Sequence, residues 1–370
     1  MMSGPGTSVE KSDVTGIKAA PLAGDRDGND ALGGTAERAG DNGAVEIVAV
    51  DVGGTNARFA RAWLRPGRAP ELGTVRRYKA EKHDSLEAAW NHFRADDGAA
   101  LPLYASVAVA APIGEPVVRF TNSPWTFRPD TLADRLGLKT MHLSNDFGAM
   151  AHAVATLGED QLEPICGPAG PIADEGVTTV IGVGTGLGVA ILLKRGGHTH
   201  VIETEGGHID FAALDPFEAR MSDAMRKQYL RVSAERVVAG PGLAAIRTAI
   251  AATEGGAITQ LDDATLWEKA IDGSDPFAAR ALERFAMSYG SVAGDLALSH
   301  GSNSVVLVGG LSNRIVDRLQ STDFVSRFTA KGRWQPRMAA IRVRLATVDE
   351  LGLVGAAAGF AAHHPELLAG

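Results

Sequence analysis

The sequence predicts an α/β fold arranged as two lobes of similar plan. Three observations carry that expectation. A β-branched run, a glycine turn and a second apolar run occur once at residues 46–63 and again from Thr178, in TTVIGVGTGLGVAILL. After each of these units, strand-like runs alternate with segments of helical spacing, as in layered α/β architectures. The length of 370 residues, at roughly 100–200 residues per domain, is enough for two cores.

Taken in order, residues 1–43 contain no Phe, Trp or Tyr and scatter their few apolar residues among Gly, Asp and Ser, so this extension is expected to be disordered. Strands are expected at Glu46–Val50 and Ala57–Trp63 around the turn Asp51–Asn56, and again at Ser106–Ala111 and Val117–Asn122. Pro129–Leu136 has proline near its start and reads as a short helix. Met141–Ser144 is a brief strand running into Asn145 and Asp146, and Phe147–Leu157 has helical spacing. Asn145 and Asp146 therefore stand at the carboxyl end of a strand where a helix begins, a favoured place for ligands in α/β folds. The Gly/Pro-rich stretch 158–176 reads as a domain crossover. Helices are expected at Pro216–Leu230, Gly242–Thr253, Ala264–Ile271 and Pro276–Leu298, strands at Ser304–Val308 and Ala340–Leu345, and a closing helix from about Leu351.

Composition excludes several classes of function. With 36 Lys plus Arg against 44 Asp plus Glu, the net charge of −8 argues against a chain whose main task is gripping nucleic acid. The longest apolar runs fall short of the ~18 residues of a membrane helix, so no membrane partner is expected. The N-terminus lacks a continuous apolar signal region, and one cysteine, Cys166, can build neither an internal disulfide nor a cysteine zinc cage. A cytoplasmic setting fits best.

Two glycine constellations carry chemistry. In DVGGTNAR, Asp51–Arg58, Gly53 and Gly54 let the backbone approach an anion while Thr55 and Asn56 add donors. Asp51 could hold Mg²⁺ directly or through water, since hard cations take oxygen ligands. A plain hairpin turn is the competing reading. In GVGTGLG, Gly182–Gly188, neither frame completes G-x-G-x-x-G, and VAILL continues as a strand where a dinucleotide fold needs a helix. Gly184, Thr185 and Gly186 are therefore read as a second phosphate-binding hairpin. A P-loop signature is absent from the sequence. Asp146 taken alone reads more readily as a helix N-cap ahead of Phe147. His198-x-His200 has strand-face metal spacing but lacks a nearby third ligand in sequence.

These motifs, with SNDF at Ser144–Phe147, EGGH at Glu205–His208, SAER at Ser233–Arg236, GPGL at Gly240–Leu243 and VGGL at Val308–Leu311, stand in the order found in bacterial ATP-dependent glucokinases, of the actin-like sugar kinase and Hsp70 ATPase superfamily. The chain resembles that family from Ala44 to its last helix, in the branch without a cysteine-rich zinc motif. The resemblance implies a two-lobed actin-like ATPase (ribonuclease H-like) fold with a cleft between a small α/β domain, 44–156 plus 349–370, and a large one, 157–348. It implies ATP, Mg²⁺ and glucose as ligands, no zinc, and allows a homodimer. Asp146 matches the family's catalytic base. Asn145, Glu205, His208 and Glu235 match its sugar-binding positions, as does Asn122 in TNSPW. Gly309 and Gly310, which stand between the strand Ser304–Val308 and an expected helix, match the turn beside the adenosine. The expected reaction is phosphorylation of the glucose 6-hydroxyl by MgATP. A kinase for another hexose or amino sugar, and a non-catalytic actin-like sugar sensor, remain as alternatives.

Overall fold

The computed structural model describes residues 43–120 and 125–369. The expectations of disorder in the N-terminal extension, up to residue 42, and of a sugar contact at Asn122 lie outside the described residues.

Along the chain, strands β1 (Val45–Val52), β2 (Asn56–Leu64), β3 (Glu71–Leu72), β4 (Arg76–Lys79) and β5 (Tyr104–Val109) are followed by the short ribbon β6 (Val118–Arg119) and β7 (Thr126–Phe127), then β8 (Thr140–Asn145). The helices of this half are α1 (Leu86–Asp97), α2 (Pro129–Leu136) and α3 (Asp146–Val154). The second half holds β9 (Leu162–Cys166), β10 (Gly176–Val183), β11 (Leu187–Arg195), β12 (His198–Thr204), β13 (Ser304–Val308) and β14 (Arg342–Ala346). Its helices are α4 (Pro216–Tyr229), α5 (Ala234–Val237), α6 (Gly242–Glu254), α7 (Asp263–Asp272), α8 (Pro276–His300), α9 (Gly310–Arg314), α10 (Val316–Leu319), α11 (Thr322–Thr329), α12 (Gln335–Ala339), α13 (Leu351–His363) and α14 (Pro365–Leu368).

The first sheet runs β3-β2-β1-β5-β8 and the second β12-β11-β10-β13-β14-β9. Each has an antiparallel hairpin, β1–β2 or β10–β11, followed by two parallel neighbours. The repeated plan read from the two glycine units is thus a repeated sheet topology. Central strands are buried on both faces, which is why they read as unbroken apolar runs. On β1, Val48, Val50 and Val52 meet Trp90, Phe93, Leu132 and Leu136 of the covering helices α1 and α2. Ile47 and Ala49 face the opposite way, against α13. On the second sheet, Ile181, Val305 and Leu307 pack outward on Trp267, Phe285 and Tyr289. Val180, Ala190 and Val306 pack inward on Ala151 and Val154 of α3.

The two inner helices are exchanged between sheets. Helix α3 leaves the end of β8 in the first sheet and lies against the second, while α13 follows β14 of the second sheet and lies against the first. They pack on each other through small residues, and an added Cβ on Gly355 would lie 1.9 Å from the carbonyl oxygen of Ala149.

Three expectations need correction. The stretch 158–176 is not wholly a connection, because β9 pairs antiparallel with β14 at the sheet edge. Pro164 and the register shift at Val343/Arg344 hid it, and both are features that edge strands tolerate. Of the strand expected at Val117–Asn122, the described residues, 117–120, form only the two-residue β6. The region between β13 and β14, for which only a helix after Gly310 was expected, folds as short helices. Among the described residues, no helix is long and apolar enough to cross a membrane. No group of three or more His, Cys, Asp or Glu among them, His198 and His200 included, is placed to hold a metal ion.

A histidine cluster sits where α3, β8 and α13 meet. The His142 and His363 rings stack at 4.2 Å, and His152 is edge-on to His363 at 5.5 Å. Burial, with the neighbouring imidazoles, lowers His142 to about 3 and His152 to about 4. The native state therefore stays neutral at His152 while the unfolded chain takes up protons below about 6.5, so stability falls as pH drops from there toward 4. At pH 5 this buried histidine alone accounts for roughly 2 kcal/mol. Urea unfolding of His152→Gln should show a shallower loss between pH 6.5 and 5 than the parent. Parallel curves for the two proteins would refute the assignment.

Candidate active site

Both glycine hairpins close by an internal hydrogen bond. The Gly53 N–H donates to the Asn56 carbonyl at 2.9 Å, and the Gly184 N–H donates to the Gly186 carbonyl at 2.9 Å. The turns span Gly53–Thr55 and Gly184–Gly186, and φ at their glycines lies outside the left-handed region. Neither is the two-residue primed turn of a plain Gly-Gly hairpin. Thr55 is exposed, its carbonyl accepts the Ala80 N–H at 2.9 Å, and its hydroxyl accepts from Asn56 Nδ2 at 3.0 Å.

Asp51, the penultimate residue of β1, is 8% exposed, with Oδ2 accepting from Arg58 Nη1 at 2.9 Å. Burial pushes its carboxyl above the usual range, while Arg58 pulls it down and Glu350 pushes it up. Glu350 itself holds a left-handed backbone, φ 55°, ahead of α13, and pairs with Arg77 as well as with Arg58 at 3.5 Å. Sequence reasoning missed this arginine–carboxylate group. Arg58 stood inside the quoted motif, but Arg77 and Glu350 are 273 residues apart and share no local pattern.

The β8–α3 junction places the next pair. Asn145, the last residue of β8, is the N-cap of α3, its Oδ1 accepting from Phe147 N at 2.8 Å and Gly148 N at 3.4 Å. Asp146 is therefore the first helical residue rather than the cap, although its Oδ1 also accepts the Phe147 N–H at 2.9 Å. Its carboxyl is pushed up to about 7, first by burial, then by the negative charge of Asp51, and to a lesser degree by Glu205, against the pull of backbone N–H groups. Asp146 thus lies within electrostatic reach of the first hairpin on one side and of the second half of the chain on the other.

Glu205 precedes a single 3₁₀ turn, Gly206–His208, and stands 3.9 Å from His208 Nε2. Both side chains are exposed. The turn is pressed onto β11, where an added Cβ on Gly207 would meet the Leu187 carbonyl oxygen at 1.9 Å. Arg231 holds the His208 carbonyl from below. Glu235, on α5, points to the second hairpin, its Oε2 accepting the Leu187 N–H at 3.0 Å. A Cβ on Gly186 would come within 2.6 Å of that oxygen, so glycine there makes room for the carboxylate. The Gly240 N–H donates to the Gly184 carbonyl at 2.8 Å, tying a further motif to the same hairpin. Gly309, φ 96°, follows β13 as the N-cap of α9 beside Val183, where a Cβ would lie 3.1 Å from the Val183 carbonyl, and Gly310 opens α9. The motif residues Asp51, Asp146 and Glu205 thus share one electrostatic neighbourhood. Glu235, Gly184–Gly186 and Gly309 share one end of the second sheet.

Comparison with known proteins gives a consistent result. A family model described as Glucokinase matches residues 48–363. The glucokinase of Zymomonas mobilis subsp. mobilis is 47% identical over 323 residues, covering 87% of this chain and all of the relative. A crystal structure of glucokinase from an Antarctic psychrotroph superposes with a TM-score of 0.75 at 33% identity, covering 85% of this chain and 98% of that one. The Balamuthia mandrillaris glucokinase, solved in complex with glucose, gives a TM-score of 0.71 at 20% identity over 86% of this chain and 94% of that one, a likeness of fold.

Proposed function

This chain belongs to the glucokinase family of ATP-dependent glucose kinases, with the actin-like two-sheet fold of such enzymes, and we propose that Asp146 is the general base of its reaction. The observation that carries this reading is the raised, half-buried carboxyl of Asp146 between Asp51 and Glu205. A base near pKa 7 is matched to proton removal at neutral pH. The glucose 6-hydroxyl oxygen bonds to the γ-phosphorus of ATP, the bond from that phosphorus to the bridging oxygen of ADP breaks, and the hydroxyl proton passes to the Asp146 carboxylate. Asn145 is oriented for the sugar by its cap, since Oδ1 is committed to α3 and Nδ2 is left toward the Ala111 carbonyl at a long 3.5 Å. Glu205 and His208 supply exposed acceptors and a donor, and Asn122 is read as a further contact. Glu235 joins sugar recognition to the second hairpin through its bond to Leu187. Such a polar pocket disfavours sugars lacking a hydroxyl, because its groups would then go unpaired.

The phosphates are assigned to the hairpin tips, Gly54–Asn56 and Thr185–Gly186, because the Gly53 and Gly184 amides are spent on closing the turns. Gly309 and Gly310 are assigned to the adenosine side. Mg²⁺ fits beside Asp51: its charge raises the carboxyl of Asp146, while burial and Glu350 raise its own, so carboxyls gather in a partly desolvated site suited to a hard cation. When bound, the ion would neutralise charge on the phosphate oxygens. Zinc has no part in this reading. We take 44–156 with 349–370 as one lobe and 157–348 as the other, with the exchanged helices α3 and α13 between them.

A coupled assay of ADP formation with MgATP and a panel of hexoses and amino sugars tests the substrate. Glucose should give the highest kcat/KM. Equal or greater efficiency with another sugar would replace glucose in this reading, and no sugar-dependent ADP release at all would overturn it.

A further inference from the structure

Glu203, on β12, reaches out of the second sheet to the end of the first. Its Oε1 accepts the backbone N–H of Asn145 at 2.9 Å. Asn145 is the hinge of the site, since it ends β8, caps α3 and immediately precedes Asp146. Its side-chain oxygen is committed to the helix, so the direction in which Asn145 and Asp146 leave the strand depends on what holds the backbone at that point. We propose that Glu203 is a positioning residue for phosphoryl transfer, fixing the β8–α3 junction from the opposite sheet and thereby the aim of Asn145 and Asp146.

A second observation supports the pairing independently. Gly148, in the first turn of α3, faces the same carboxylate, and an added Cβ there would lie 2.2 Å from Glu203 Oε1 and 2.8 Å from its Cγ and Cδ. Glycine at position 148 is what lets the carboxylate come down onto the junction. The carboxyl is raised by burial, while the Asn145 N–H and the nearby His363 favour its charged form. Glu203 touches no reacting atom in this arrangement. It acts through the backbone of Asn145, and small displacements of a reacting group are costly because transfer demands alignment of the attacking oxygen. The inference rests on Asp146 being the base.

The experiment compares Glu203→Ala and Glu203→Gln by steady-state kinetics and thermal unfolding. Glu203 lies on an edge strand with part of its side chain exposed, so both variants should fold with melting temperatures close to the parent. Glu203→Ala should lose roughly tenfold in kcat, the scale of one hydrogen bond to a charged group, with KM for ATP unchanged. Glu203→Gln, whose amide oxygen can accept the same N–H, should recover to within about twofold of the parent. Wild-type kcat in Glu203→Ala, equal impairment in both variants, or a loss confined to melting temperature or to KM for ATP would each overturn the proposal. An Asp146→Asn variant measured alongside separates the two readings. If it turns over normally the base assignment fails, whereas if it is dead and Glu203→Ala is silent only the positioning role fails.

Discussion

Asp146→Asn is expected to lower kcat by about 10²–10⁴-fold, the usual contribution of a positioned general base, while calorimetry still detects glucose binding. Asparagine keeps the side-chain oxygen that accepts the Phe147 N–H, so α3 should retain its first turn. A carboxyl acting as base works only when ionised, and burial with the charge of Asp51 raises that of Asp146 to about 7. Activity expressed as kcat/KM for glucose should therefore rise with pH through about 7 and fall on the acid side. A profile flat from pH 5.5 to 8, or near-wild-type turnover by the variant, would remove Asp146 from the role.

Gly355→Ala should have the largest effect on stability. A Cβ at that position would sit 1.9 Å from the Ala149 carbonyl oxygen and 2.4 Å from its carbon, both backbone atoms that cannot rotate away. The two inner helices would have to separate, at a cost of about 3 kcal/mol or more. Because α3 begins at Asp146, separation should also depress kcat. Urea denaturation read by circular dichroism tests this: a clear drop in midpoint is expected, and an unchanged midpoint would mean that the helices are not in the close packing described. Gly188 offers a contrast, since its added Cβ would meet the Phe147 ring at 1.8 Å, a side chain that can tilt at the expense of its neighbour Asp146.

Much of the fold was readable because its signals are local. The helix Pro129–Leu136 and the strand Ser304–Val308 appear with the bounds expected, since proline at the start of one and a run of buried β-branched residues in the other leave few alternatives. The strand entering Asn145 and Asp146 was legible for the same reason. Where the pattern was ambiguous the expectation failed. β9 carries Glu163 and Pro164 and alternates poorly, so only its pairing with β14 makes it a strand. In the site, the residue types of the motifs were visible, but what each side chain touches was not. Glu235 looks from its sequence like a residue of a solvated helix face, yet it holds the second hairpin through Leu187. Glu203 and Glu350 had no signal at all, because their partners Asn145, Arg58 and Arg77 lie far away along the chain.

The sequence by itself determined the doubled strand–glycine–strand plan, the family, and the residue types available for phosphoryl transfer. These follow from periodicity and from motif order, which are properties of neighbours in the chain. The tertiary structure alone decided that α3 and α13 cross to the sheets opposite their origins, and that Gly148, Gly186 and Gly355 are glycines because other groups occupy the space of a side chain. It also decided that Asp146 has a carboxyl poised near 7. Desolvation and Coulomb interaction are sums over everything nearby in space, and here the contributors, Asp51 and Glu205, come from opposite halves of the chain. No local reading of SNDF could have supplied that value, because the burial that chiefly sets it, and the charges that add to it, arise only when the two halves pack together.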